Sequence, residues 1–176
     1  MRLTVQPHKF LKHLTAPFSG ATHDQDGNTL PSKHTKSWVF TLGNERKDNH
    51  LTFKATRLKG RTINDPVEVS VMAGTHSHDD LNYLPLGEVS TNGVFTPSPY
   101  TPMSGRGEIG LQTFKWLLSV SSDEDFAMPD HLEIMCDAKC ARCAKPLSNP
   151  NSMKEVLGPI CRSKVNTSKP AKPKRR

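Results

Sequence analysis

The residues best suited to chemistry are four cysteines spaced Cys136-x3-Cys140-x2-Cys143-x17-Cys161, the whole cysteine content of the chain. Thiolates are soft donors, and a structural zinc site takes four ligands tetrahedrally, leaving no position for water or substrate. The expectation is one structural Zn2+ held by Cys136, Cys140, Cys143 and Cys161, a staple for the fold and not a catalyst. Cys140-Ala-Arg-Cys143 has the two-residue gap of a zinc knuckle, a tight turn that aims two thiolates at one point. A pair of disulfides is the alternative. The opening Met1-Arg-Leu-Thr-Val-Gln-Pro-His-Lys lacks the apolar stretch of a secretory signal, so a reducing cytoplasm is expected, where such clusters more often take metal.

The elements around the cysteines are legible from spacing. His131-Leu-Glu-Ile-Met135 reads as a strand leading to Cys136. Ser148-Asn-Pro-Asn-Ser-Met-Lys-Glu-Val-Leu-Gly-Pro159 reads as a short helix with Ser148 or Asn149 capping, Pro150 in its first turn and Gly158 at its end. Cys161 follows a Gly-Pro turn that brings the chain back to the metal. Lys139, Arg142, Lys145 and Arg162 flank the ligands and offset the charge of about −2 that four thiolates leave on zinc.

At these residues the chain resembles a family of small zinc-binding domains encoded by bacteriophages and by bacteria carrying their remnants. That pattern is a Cys or His, three residues, Cys-x2-Cys, a leucine, a small polar helix start with serine, then Gly-Pro-x-Cys. It is met by Cys136, Cys140, Cys143, Leu147, Ser152, Gly158, Pro159 and Cys161. A looser likeness extends upstream over Leu51-Thr-Phe-Lys, Val67-Glu-Val-Ser-Val71, Leu86-Gly87 and Phe114-x-Trp116. The family often has an Arg after the second knuckle Cys and a further Gly before Gly-Pro, where this chain has Lys145 and Leu157 nearby. The resemblance implies zinc binding and a phage-like origin, with the host cytoplasm as location, and supplies no activity.

Charge is unevenly spread. After Cys161 come Arg162, Lys164, Lys169, Lys172, Lys174, Arg175 and Arg176 without one acid, so the formal net charge of +7 is that of the tail. Residues 1–64 hold eleven Lys or Arg against four acids, and residues 65–137 hold twelve acids against Arg106 and Lys115. A tail such as Lys-Pro-Ala-Lys-Pro-Lys-Arg-Arg176 forms no helix easily and leaves its cations available to phosphates, with counterion release making affinity fall as salt rises. The expected partner is DNA or RNA, contacted by Arg142, Lys145, Arg162, Lys164, Lys172, Lys174, Arg175 and Arg176. No finger helix with a base-reading set is present, so sequence-specific readout is not expected. The runner-up is a protein-interaction module that engages or inhibits a host protein, such as one of defence, through the acidic middle.

The body must be built from a modest apolar content of 34% with 6% aromatics, and metal binding would add on the order of 10 kcal/mol to folding. No apolar run approaches the ~18 residues of a membrane span. Trp38–Leu42, His50–Leu58, Val67–Met72 and Tyr83–Val89 carry the β-branched and aromatic content of strands, separated by Gly, Asn and Pro turns. Leu51, Phe53 and Ala55 alternate with Thr52, Lys54 and Thr56, as Val67, Val69 and Val71 do with Glu68 and Ser70, so one sheet face is expected to be buried. A helix from about Glu108 to Val120 is expected to cover it; Val5–Leu14 is a short helix or strand, and Thr96–Gly107 a loop.

The predicted architecture is α+β, an antiparallel sheet covered by one helix with a treble-clef-like C-terminal zinc module. Its parts are an irregular segment 1–32, the sheet and helix over 33–130, the four-cysteine module over 131–164 and a basic tail over 165–176. No nucleophile with a base, open metal site or cofactor loop stands out, so the protein is expected to be a nonenzymatic accessory factor. His76-Ser-His78-Asp79-Asp80 has the donors for a second metal but reads better as a solvated hairpin loop. Ser104-Gly-Arg-Gly107 lacks the lysine and spacing of a phosphate loop and reads as a flexible turn. Asp123–Asp125 reads as a solubilising loop, and Trp116 as core in preference to a base-stacking platform.

Overall fold

The structure is a computed structural model that describes residues 3, 4, 10, 14, 35–62, 64–73, 82–136, 147, 149, 150, 152 and 159–166. Seven strands form one antiparallel sheet: β1 (Leu3–Thr4), β2 (Lys36–Asn44), β3 (Asn49–Arg57), β4 (Val67–Met72), β5 (Tyr83–Val89), β6 (Phe95–Pro97) and β7 (Leu132–Cys136), in the order β1-β7-β2-β3-β4-β5-β6. β2 to β5 follow one another as the expected meander, and β6 extends it by pairing with β5 through Thr96 and Pro97, which were expected in a loop. Helix α1 (Gly105–Ser121) is longer than the expected 108–120 and lies against β4 and β5. The α+β reading therefore holds for the sheet and its covering helix.

The alternating residues of β2 to β4 place their apolar members on one face. Phe40 stands opposite Phe53 in register, the rings stacked with centroids 5.1 Å apart, and Phe53 stands opposite Val71. Trp38 joins Phe40 at 4.9 Å. Leu111, Phe114, Leu117 and Leu118 of α1 are buried on this core, and Phe95 meets Phe114 edge-on at 5.2 Å. Phe10 and Leu14, helical and wholly buried, complete it, with Phe10 edge-on to Phe40 at 4.9 Å. Of the two conformations expected for Val5–Leu14, these residues take the helical one. Each such side chain contributes about 1.5–3 kcal/mol through burial.

Two glycines let the layers approach. A Cβ on Gly110 would lie 2.8 Å from Val71 Cγ1, so α1 can sit this close to β4 only without a side chain there. Gly87, with φ +150°, fits β5 under β6, where a Cβ would lie 2.2 Å from the Thr96 carbonyl oxygen. The β4–β5 register shifts between Val69 and Ser70, so Leu86 is skipped and turns into the core.

The second sheet face is not simply solvated. Thr41, Thr52, Met72 and Met135 are buried there, although the alternation in β3 assigns Thr52 to a solvent face. Thr41 and Thr52 stand opposite each other and their hydroxyls are hydrogen-bonded, which lets this polar pair leave water.

Candidate metal centre

Cys136 ends a strand gripped from both sides. In β7 it stands opposite Leu3 of β1 and Phe40 of β2. Ile134 and Met135, pointing to opposite faces, are each only 1% exposed, as expected of a strand inside a sheet. The strand expected at 131–135 is thus present one residue later, and the backbone that presents the first cysteine belongs to the sheet itself.

Cys140 and Cys143 lie outside the described residues, as do Arg142 and Lys145. The chain is described again at Leu147, which is buried, and at Asn149, whose Oδ1 accepts a hydrogen bond from the Ser152 N–H at 3.3 Å. Pro150 and Ser152 are helical, so Asn149 is the expected cap. This helix start rests on the second sheet face: a Cβ on Gly43 would lie 3.0 Å from Met135 Cε and 3.4 Å from Pro150 Cγ.

Helix α2 (Pro159–Asn166) carries the last cysteine. Pro159 opens it, as suits a residue with fixed φ and no N–H, and the half-buried Cys161 follows within the first turn. Pro159 and Cys161, expected in and just after a Gly-Pro turn, are therefore both helical; Gly158 lies outside the described residues. Unsatisfied N–H groups at a helix start favour nearby negative charge, so a thiolate at Cys161 suits its position. A strand end and a helix first turn are fitting supports for two thiolates of a four-cysteine site. Among the described residues alone, no group of three or more His, Cys, Asp or Glu is placed to hold a metal.

Of the cations expected to meet phosphates, Arg162 is exposed on α2. Lys164 belongs to the same helix; Lys172, Lys174, Arg175 and Arg176 lie outside the described residues. His76 to Asp80 do so as well. Asp123, Glu124 and Asp125 are exposed in a turn, with the Asp125 N–H donating to Asp123 Oδ1 at 3.0 Å, as a solvated loop requires. Trp116 is partly buried against the core and edge-on to Phe126 at 6.0 Å.

The flexible turn expected at Ser104-Gly-Arg-Gly107 is corrected: residues 105–107 are the first turn of α1. Arg106 fixes it, donating from Nη1 to the Met72 carbonyl at 3.1 Å and from Nη2 to the His50 carbonyl at 3.5 Å. His50 is half-buried, and burial, then the positive charge of Arg106, lowers its pKa below the usual 6.5 against the opposing effect of Asp48. It lines a cleft of about 260 Å3 between the β2–β3 turn and the helix start at Asn149, with Asp48, Glu133 and Met135.

A larger groove of about 750 Å3 occupies the uncovered part of the second sheet face. Tyr83 and Tyr100 line it, and Lys54 Nζ lies 4.2 Å over the Tyr83 ring. Sequence reasoning missed this site. Tyr83 carries only a strand signal and Tyr100 only a loop signal, and no spacing between them reveals that they converge.

A model for a family of unknown function, DUF6011, matches residues 133–166. The C-terminal segment is similar to that family. The matched stretch runs from the second residue of β7 to the last residue of α2 and contains all four cysteines. No curated protein and no solved structure matches the chain.

Proposed function

We propose that Cys136, Cys140, Cys143 and Cys161 hold one structural zinc ion, as in the phage-type zinc domains the segment resembles, and that the protein is a nonenzymatic accessory factor contacting DNA or RNA through its basic C-terminal region. The observation that carries this reading is the pair of supports for the outer cysteines. Cys136 closes a strand held on both sides, and Cys161 stands in the first turn of a helix whose next residue is the exposed Arg162. When bound, the ion would supply cross-linking alone, since a closed set of thiolates leaves it no open position. Arg142, Lys145, Arg162 and Lys164 would flank that site, and Lys172, Lys174, Arg175 and Arg176 would extend the contact along phosphates without reading bases.

Retention of the full chain on a mixed nucleic-acid matrix tests the contact. Neutralising Arg162, Lys164, Lys172, Lys174, Arg175 and Arg176 to Gln should abolish retention at moderate salt and reduce the slope of affinity against salt. Unchanged retention would overturn the assignment of these cations.

A further inference from the structure

The groove on the second sheet face has a single cross-strand row as its floor. Thr96, Glu88, Glu68, Thr56 and Ser37 stand opposite one another in turn on β6, β5, β4, β3 and β2, and all of them line the groove. At ~4.8 Å between neighbouring strands the row is about 19 Å long, the reach of about six residues of extended chain at ~3.3 Å each. Hydroxyls occupy its two ends and a pair of carboxylates its middle.

Charge narrows the occupant. Glu68 and Glu88 are like charges directly opposite each other, a destabilising arrangement in a sheet, and among the described residues neither carboxylate has an ion-pair partner. Lys54 is the one cation among the described residues that line the groove. It stands opposite Ser70, one row away from Glu68, and its Nζ lies 4.2 Å over the Tyr83 ring. Two carboxylates against one ammonium leave a single negative charge uncompensated, so the groove is complementary to one further cation and disfavours a phosphate backbone.

The Tyr83 and Lys54 pair also shows how a cation is held here, on the face of an aromatic ring. The second ring in the groove, Tyr100, is 81% exposed and has no cation over it among the described residues. Its backbone is nevertheless fixed: the Tyr100 N–H donates to Ser98 Oγ at 3.2 Å, and the Ser98 N–H and the Thr101 hydroxyl both donate to the Leu86 carbonyl. An exposed aromatic ring on a held backbone is a preorganised contact. A guanidinium suits both features, since its flat face stacks on a ring and its fork of donors can meet two carboxylates at once, where a strongly hydrated ammonium acts as a point charge.

We propose that this groove docks an extended segment of a partner protein, about six residues long, that presents one arginine to Glu68, Glu88 and Tyr100. The hydroxyls of Thr96 on one side and of Thr56 and Ser37 on the other hydrogen-bond its main chain. The inference stands apart from zinc binding and nucleic-acid contact, and its test reads neither.

The full chain labelled with 3-fluorotyrosine gives two fluorine resonances, both from the groove, and Tyr100→Phe identifies the one from Tyr100 by its loss. The probe is the blocked peptide acetyl-Thr-Val-Thr-Arg-Thr-Val-amide, which should move the Tyr100 resonance saturably. The same peptide with citrulline, an uncharged analogue of the same shape, in place of arginine should bind about tenfold more weakly. Glu88→Gln should weaken the arginine peptide by a similar factor, whereas Lys54→Gln, which leaves both carboxylates uncompensated, should tighten it. No saturable shift, equal binding of the arginine and citrulline peptides, or indifference to Glu88→Gln would overturn the proposal. Resonances moved by an oligothymidylate but not by the peptide would assign the groove to nucleic acid. Resonances that change before any peptide is added, on dilution or in R175Q/R176Q, would assign it to a second copy or to the chain's own terminus; each of these results overturns docking of a partner.

Discussion

Thr41 and Thr52 face each other across β2 and β3, wholly buried, with hydroxyl oxygens 2.9 Å apart. Replacing Thr52 alone by valine removes this hydrogen bond and should cost about 0.5–1.5 kcal/mol. The double variant T41V/T52V should lose less than the sum of the two single changes, because neither hydroxyl remains. Denaturant midpoints of the four proteins give the coupling; strict additivity would show that the pair does not act as a unit.

Gly110→Ala should destabilise by about 1–3 kcal/mol, since the new methyl meets Val71 within an overpacked contact. An intrinsic helix preference of about 1 kcal/mol for alanine works in the opposite direction. Val71→Ala in the same chain should recover part of the loss. An unchanged or raised thermal midpoint for the single variant would mean that α1 sits farther from β4 than described.

His50 introduces a pH dependence of definite sign. Burial and Arg106 lower its pKa in the folded state, so the unfolded chain binds the proton more tightly. Stability is therefore retained above the unfolded value of 6.5 and declines as pH falls below it, toward the lowered folded value. The difference in melting temperature between the wild type and His50→Gln should change in that window and be flat above it. A constant difference from neutral to acidic pH would remove His50 as the cause.

Metal content is measurable without any activity. Freshly purified, reduced protein should carry about one zinc per chain, and chelation or Cys161→Ser should lower the melting temperature and loosen hydrogen-exchange protection in β7. Protein free of zinc with an unchanged melting temperature would exclude the metal staple.

The meander was legible because Trp38 to Leu42, Leu51 to Ala55 and Val67 to Val71 alternate with polar residues at the period of a strand. Burial on both faces near Thr41 and Thr52 was not, since a threonine that satisfies its hydroxyl across strands looks like a solvated one in sequence. The start of α1 was hidden by Gly105 and Gly107, which read as breakers. The second of these is needed for proximity: a Cβ there would lie 2.5 Å from the Pro102 carbonyl oxygen. Phe10 and Leu14 are four residues apart, the spacing of one helix face, but surrounding prolines and polar residues weaken the signal. Of the cysteine site, the strand into Cys136 and the cap at Asn149 were legible because their cues are local; the convergence of Tyr83 and Tyr100 depends on long-range strand pairing.

The place of β7 inside the sheet has a consequence for biosynthesis. A ribosome releases β2 to β6 well before residues 132–136 emerge, so during that interval β2 presents an open ladder of backbone donors and acceptors. Premature termination upstream of β7 would leave that ladder permanently available for pairing between chains. Nascent chains should therefore depend on protection by holdase chaperones until the last strand arrives to close the gap.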